Sequence, residues 1–256
     1  MKINPLYMLP NAFTAGSVFL AMLSIIYASR EEFSLACWMI MISMVLDGLD
    51  GRVARLTNTS SKFGVEFDSL ADVVAFGVAP AMLVYFYLGQ YYGRLGVVVS
   101  ALFVIFGAIR LARFNVTTSN EPNFFIGLPI PSAAAFVVVW ILLNEAYGFL
   151  KLPSVSYAQF NPLNNDLEAL MNHQNFLGYL LIASVFLVGI LMVSNIRYPS
   201  FKKMQWNIKI FVILLLLCAA IVYRPIEGLV FLINAYVFYG ILRWLFVLTR
   251  IKRRIS

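Results

Sequence analysis

Long apolar runs alternate with short polar connections along almost the whole chain. Each run is close to the ~20 residues that a helix needs to cross a hydrocarbon core. Eight spans are predicted, about 12–29, 33–55, 64–89, 95–113, 130–149, 176–195, 208–223 and 227–249. The longest connection, about 150–175, carries Pro153, Asn161, Pro162, Asn164 and Asn165 and reads as an outer loop. No internal repeat or low-complexity segment interrupts the pattern. The expected fold is therefore an all-α integral membrane protein of about eight transmembrane helices, one continuous domain.

Composition agrees with the pattern. The 256 residues are 61% hydrophobic and 12% charged, with a mean hydropathy of +0.84, against about 45–50% and about 25% in soluble domains. The opening MKINPLYMLPNAFTAGS has one Lys, two prolines and no short apolar block ending in a small-residue cleavage site, so a cleaved signal is not expected. Cys37 and Cys218 lie inside apolar runs with no CxxC or Cys/His cluster and read as packing thiols, and the lone His173 falls in a polar loop. The net charge of +7 does not point to nucleic acid, because the basic residues are spread over short loops with no soluble face to collect them. With the N-terminus inside, 15 of the 19 Lys and Arg residues fall on the inner side, leaving Arg30, Arg94, Lys151 and Arg224 outside. By the positive-inside rule, both termini are expected on the cytoplasmic side of the cell membrane. The basic tail 250–254 reads as an anchor to anionic lipid.

Four aspartates break the apolar background, in Asp47-Gly48-Leu49-Asp50-Gly51-Arg52-Val53-Ala54-Arg55 and then Gly64, Asp68 and Asp72. An ionised Asp at the centre of a membrane helix costs about 2.5–3.5 kcal/mol on insertion scales. Four together call for compensation, most simply by one or two divalent cations. Asp47 and Asp50 are three apart and Asp68 and Asp72 four apart, so each pair shares a helix face. The short polar segment 56–63 would return the chain as an antiparallel neighbour and bring the two faces together. Gly51 and Gly64 remove bulk one turn from a carboxylate, Ala54 keeps the face shallow, and Arg55 supplies a cation for phosphate. Oxygen ligands without His or Cys favour Mg²⁺ or Mn²⁺ over Zn²⁺. Two other readings stand beside this one: a structural network of the aspartates with Arg52, Arg55 and Lys62, and a cation path in a channel or transporter.

Written as D-G-x-x-D-G-x-x-A-R-x8-G-x3-D-x3-D, the segment from Asp47 to Asp72 resembles the signature of the CDP-alcohol phosphatidyltransferases, with no departure at a fixed position. The resemblance implies a six-helix catalytic core holding two divalent cations at the cytoplasmic side. Asp47, Asp50 and Asp68 would be metal ligands, and Asp72 would touch metal and act as general base. Gly51, Ala54 and Arg55 would hold the CDP moiety, joined by Gly64 and by Asn11 and Thr14 of an opening segment that is similar to the family's. Residues 1–195 would form the core, and 196–256 two further helices with the basic tail.

Gly127-Leu128-Pro129-Ile130-Pro131-Ser132-Ala133-Ala134, with Arg110-Leu111-Ala112-Arg113-Phe114-Asn115, looks like the phosphatidylserine synthase branch. That implies transfer from CDP-diacylglycerol to L-serine with release of CMP, in an enzyme expected to be a homodimer. Other branches accept glycerol 3-phosphate or inositol phosphate. The residues also have their own reading. Pro131 and Ser132 fit the first turn of a helix, where free N–H groups bind anions. Arg110 and Arg113, three apart at the end of the fourth span, are placed to clamp a carboxylate or phosphate. Topology-setting for the arginines, a plain helix start for the prolines, and an N-terminal cap for Asn11 and Thr14 remain open at this point.

Overall fold

The computed structural model describes residues 8–57, 59, 61–117, 124–150, 173–199 and 223–255. Helices α1 (Met8–Ser29) and α2 (Phe33–Leu56) form an antiparallel hairpin. Its turn closes through Glu31, at φ +64°: the Glu31 amide reaches Ala28 O at 3.1 Å and the Glu32 amide reaches Tyr27 O at 3.0 Å. This is a Schellman closure in which glutamate holds the left-handed position usually given to glycine. Lipid gives apolar side chains no reason to prefer protein, so close packing and polar contacts must join the two helices. Ser17 and Ser43 hydrogen-bond across the interface at 2.7 Å, and Gly16 admits the Leu46 side chain.

Helix α3 (Lys62–Tyr87) runs back along α1. Just after Asp72 it widens into a π-helical turn, Val73–Val78. Pro80 has no N–H to give Phe76, and the chain adjusts by bonding the Ala79 amide to Val74 O instead. A 3₁₀ turn (Gly89–Tyr92) leads into α4 (Gly93–Thr117), followed by β1 (Phe124–Ile126), α5 (Ile130–Tyr147), α6 (His173–Val193), β2 (Arg197–Pro199) and α7 (Pro225–Ile255). α5 is the central helix, packed against α2, α3, α6 and α7. At its start, Ile130 lies between Gly77 of α3 and Gly107 of α4, where an added Cβ would stand 3.7 and 2.7 Å from the Ile130 Cδ1. Its far end is tied by Asn144, which donates to the Tyr87 hydroxyl and accepts from the Leu150 amide at 2.6 Å. There too, the Tyr147 hydroxyl bonds Glu227, and Glu227 pairs with Arg224 at 3.0 Å, fixing the start of α7.

Seven described helices are long and apolar enough to cross a membrane. They present large apolar side chains outward, with Phe19, Val45, Leu70 and Phe231 all more than half exposed. The protein is an all-α integral membrane protein, with span edges within a few residues of the sequence expectation. The predicted span 208–223, Cys218, nearly all of the predicted loop 150–175, and the side chains of the basic tail 250–254 lie outside the described residues. The sequence pattern did not anticipate the two-stranded antiparallel ribbon, in which Phe125 pairs with Tyr198 and Ile126 with Arg197.

Candidate active site

The α2–α3 connection is closed from both sides. The Thr57 amide continues the α2 ladder to Val53 O at 2.9 Å, and the Thr59 amide bonds Ala54 O at 3.0 Å. The hydroxyls of Thr57 and Thr59 meet at 2.6 Å. Ser61 then caps α3, its Oγ accepting from the Gly64 amide at 3.0 Å. This tight return sets the acidic face of α2 against that of α3. Asn115 of α4 adds a tie by donating to Ser69 Oγ at 3.0 Å.

One carboxylate oxygen from each of Asp47, Asp50 and Asp68 falls within 4.8 Å of the others. Asp72 stands next to this trio, with Asp47 and Asp68 as its acidic neighbours and Arg110 as its cationic one. The Oδ1 atoms of Asp47 and Asp72 are buried and accept no hydrogen bond among the described residues. No salt bridge joins any of the four to a cation among the described residues, which counts against a purely structural network. Three converging carboxylates, with a buried, unpaired oxygen on Asp47 and another on the adjacent Asp72, fit a hard divalent cation. Asp50 is oriented by α1, since Thr14 Oγ1 donates to its Oδ2 at 2.6 Å. Thr14 thus sits inside α1 and reaches into the site instead of capping the helix, which begins earlier than expected.

An open cleft of about 190 Å³ adjoins Asp50 and Asp68, lined by Asn11, Thr14, Gly51, Ala54, Arg55 and Gly64 together with Pro10, Thr59, Ser61 and Val65. All six residues expected to hold the nucleotide therefore meet on one cleft. A Cβ on Gly51 would project into open space with only Arg55 Nη1 nearby, at 3.8 Å, so the glycine leaves room in the cleft itself. A Cβ on Gly64 would press on Asn11 Oδ1 and Ser61 Oγ, both at 3.2 Å. Thr59 and Ser61 were visible in the sequence only as part of a polar loop.

The two arginines of α4 separate in role. Arg113 donates to the carbonyls of Val193 and Ser194, both at 2.9 Å, to Ile126 O at 3.1 Å and to Asn195 Oδ1 at 3.3 Å. It closes the C-terminus of α6 and pins the segment before α5, where the helix dipole favours a cation. Beside it Gly127, at φ +79°, bonds Ile196 O at 2.8 Å; a Cβ there would run into the Met192 carbonyl and lie 2.9 Å from Arg113 Nη2. Arg110 is buried, its Nε has no partner among the described residues, and its guanidinium carbon lies 5.1 Å from the Phe114 ring centre. Its electrostatic neighbours are Asp72, Tyr236 and Arg113. Tyr236, on α7, had no motif around it to mark it. Pro131 and Ser132 occupy the first turn of α5 and do not line this cleft.

The comparisons agree with this geometry. A family model described as CDP-alcohol phosphatidyltransferase matches residues 7–163. A CDP-diacylglycerol–serine O-phosphatidyltransferase from Helicobacter pylori (strain J99) is 54% identical over 252 residues, covering 98% of this chain and 97% of the relative. One from Methanocaldococcus jannaschii is 35% identical over 81% of this chain and 83% of its own length. An archaetidylserine synthase from Methanothermobacter thermautotrophicus is 33% identical over 79% and 74%. A membrane-embedded bundle with this carboxylate face defines a lipid-headgroup transferase, and the chain belongs to the CDP-alcohol phosphatidyltransferase family.

Proposed function

We propose that this chain transfers the phosphatidyl group of CDP-diacylglycerol to the hydroxyl of L-serine, releasing CMP. The observation that carries the reading is the convergence of Asp47, Asp50 and Asp68 beside an open cleft, with Asp72 adjacent and within electrostatic reach of the buried Arg110, in a chain similar end to end to proteins named for that reaction. Asp47, Asp50 and Asp68 would hold two divalent cations, Mg²⁺ or Mn²⁺, with Asp72 at their edge. When bound, such ions neutralise and align a pyrophosphate. Asn11, Thr14, Gly51, Ala54, Arg55 and Gly64 receive the CDP moiety, and Arg55 balances charge on the departing phosphate. Arg110 receives the serine carboxylate, and the helix start at Pro131 and Ser132 borders that side. Asp72, within electrostatic reach of both Asp47 and Arg110, takes the proton of the attacking hydroxyl. Acyl tails stay in the bilayer while the headgroup reaches the cleft from the side.

The same reading places the protein in the cell membrane as a homodimer, with the aspartates and both termini facing the cytoplasm. It is tested with purified protein in detergent, measuring CMP release from CDP-diacylglycerol with and without L-serine and with and without Mg²⁺ or Mn²⁺. Release that needs both serine and a divalent ion is expected, and the mass of the solubilised protein reads the dimer. Release with glycerol 3-phosphate or inositol phosphate but not serine would keep the family and overturn the acceptor. Silence with every acceptor, alongside ion flux in liposomes, would favour the cation-path reading.

A further inference from the structure

The family match ends at residue 163, yet the surroundings of Arg110 include residues well beyond it. The guanidinium packs on Phe114 at 5.1 Å, and Phe114 meets Phe125 at 6.2 Å between ring centres. Phe125 pairs across the ribbon with Tyr198, and Tyr198 meets the Tyr236 ring at 5.5 Å. Tyr236 in turn lies within electrostatic reach of Arg110, which closes a circuit of aromatic rings around one buried cation. Gly240 makes the closure feasible, because a Cβ there would collide with the Tyr198 ring and hold α7 away from β2.

Two donors in this circuit are unsatisfied. Tyr198 is fully buried and its hydroxyl has no partner among the described residues, and the same holds for Arg110 Nε. Buried donors are rarely left unpaired unless a ligand or water completes them. A guanidinium beside phenolic hydroxyls is rich in donors, so its complement is a group that only accepts: a carboxylate or a phosphate. Asp72, whose Oδ1 is also buried without a partner among the described residues, lies within electrostatic reach of Arg110, so the hydroxyl of the same small molecule would be deprotonated there.

We propose that Tyr198 and Tyr236 complete, with Arg110, the pocket for the anionic group of the acceptor, so that β2 and α7 help determine which alcohol is used. The proposal rests on the reading of Arg110 as the acceptor-binding cation. Under the serine reading the anion is the carboxylate; glycerol 3-phosphate would offer a phosphate to the same donors.

The test uses the full chain in mixed micelles and follows CMP release against L-serine and against serinol, which replaces the carboxylate with a hydroxymethyl group. Tyr236→Phe and Tyr198→Phe are expected to raise the KM for serine about tenfold each, the scale of one hydrogen bond to a charged group. The KM for CDP-diacylglycerol should stay within about twofold, and the preference for serine over serinol should shrink in parallel. An unchanged KM for serine in both variants overturns the proposal. So does a fall in kcat with the serine preference intact, because a packing role would produce it. If the wild-type chain uses glycerol 3-phosphate instead, the same comparison with that acceptor decides. If it releases no CMP at all, calorimetric binding of L-serine to protein loaded with CDP-diacylglycerol and Mg²⁺ separates the two failures. Weaker binding in Tyr236→Phe then keeps the pocket while the transfer reading falls, and unchanged or absent binding overturns the pocket.

Discussion

Asp72 differs from the other three aspartates by position more than by chemistry. Asp47, Asp50 and Asp68 converge on one point, whereas Asp72 stands beside them and has Arg110 as an electrostatic neighbour. Under the proposed function, the carboxylate there takes the proton while the other three hold the ions. Asp72→Asn keeps size and loses basicity, so CMP release is expected to fall about 10²–10⁴-fold, the usual weight of general-base catalysis. Melting temperature and divalent-ion binding should be nearly unchanged. Loss of ion binding in this variant would make Asp72 primarily a ligand. The four aspartates were legible in the sequence because helical spacing alone puts each pair on one face. The finer division among them came only as what the family resemblance implies, since it depends on how far α2 and α3 rotate against each other, and no spacing rule encodes that.

Among the secondary-structure elements, the seven spans within the described residues were readable from hydropathy to within a few residues, because lipid demands length and apolarity from any helix that crosses it. Features created by contacts between distant segments were not readable. The π turn before Pro80 answers a missing donor within α3, and the β1–β2 ribbon joins connections about 70 residues apart. Arg113 shows how this changes a role. In sequence it is paired with Arg110 as a ligand clamp; in the fold its guanidinium is taken up by the end of α6 and the approach to α5. Arg113→Ala should therefore cost about 2 kcal/mol or more through several lost bonds to a charged donor, lowering the melting temperature by roughly 4–8 °C. Arg113→Lys should recover only part, since an ammonium lacks the fork that spans several carbonyls. A variant that melts normally but has a raised KM for serine would return Arg113 to the substrate.

At the scale of the whole molecule, the described helices divide the protein into two ends of different chemistry. One end gathers the aspartates, the cleft beside them, Arg110 and the ribbon; the other holds the Glu31 turn, the Asn144 tie and the Arg224–Glu227 pair. The charge rule assigns the aspartate end to the cytoplasm, because most of the 19 Lys and Arg residues fall there and lysines and arginines resist translocation. This assignment follows from sequence, and the fold supplies the positions that test it. In a background with Cys37 and Cys218 replaced, cysteine at Glu31, in an exposed turn, should react with a membrane-impermeant maleimide added to intact cells. Cysteine at Lys62, at the start of α3, should react only in inverted vesicles. The reverse pattern would place the site outside, away from a cytoplasmic supply of nucleotide-activated lipid, and would overturn the orientation while leaving the family intact. Labelling of both positions from one side would contradict the α2 crossing itself, and with it the hairpin on which the carboxylate site is built.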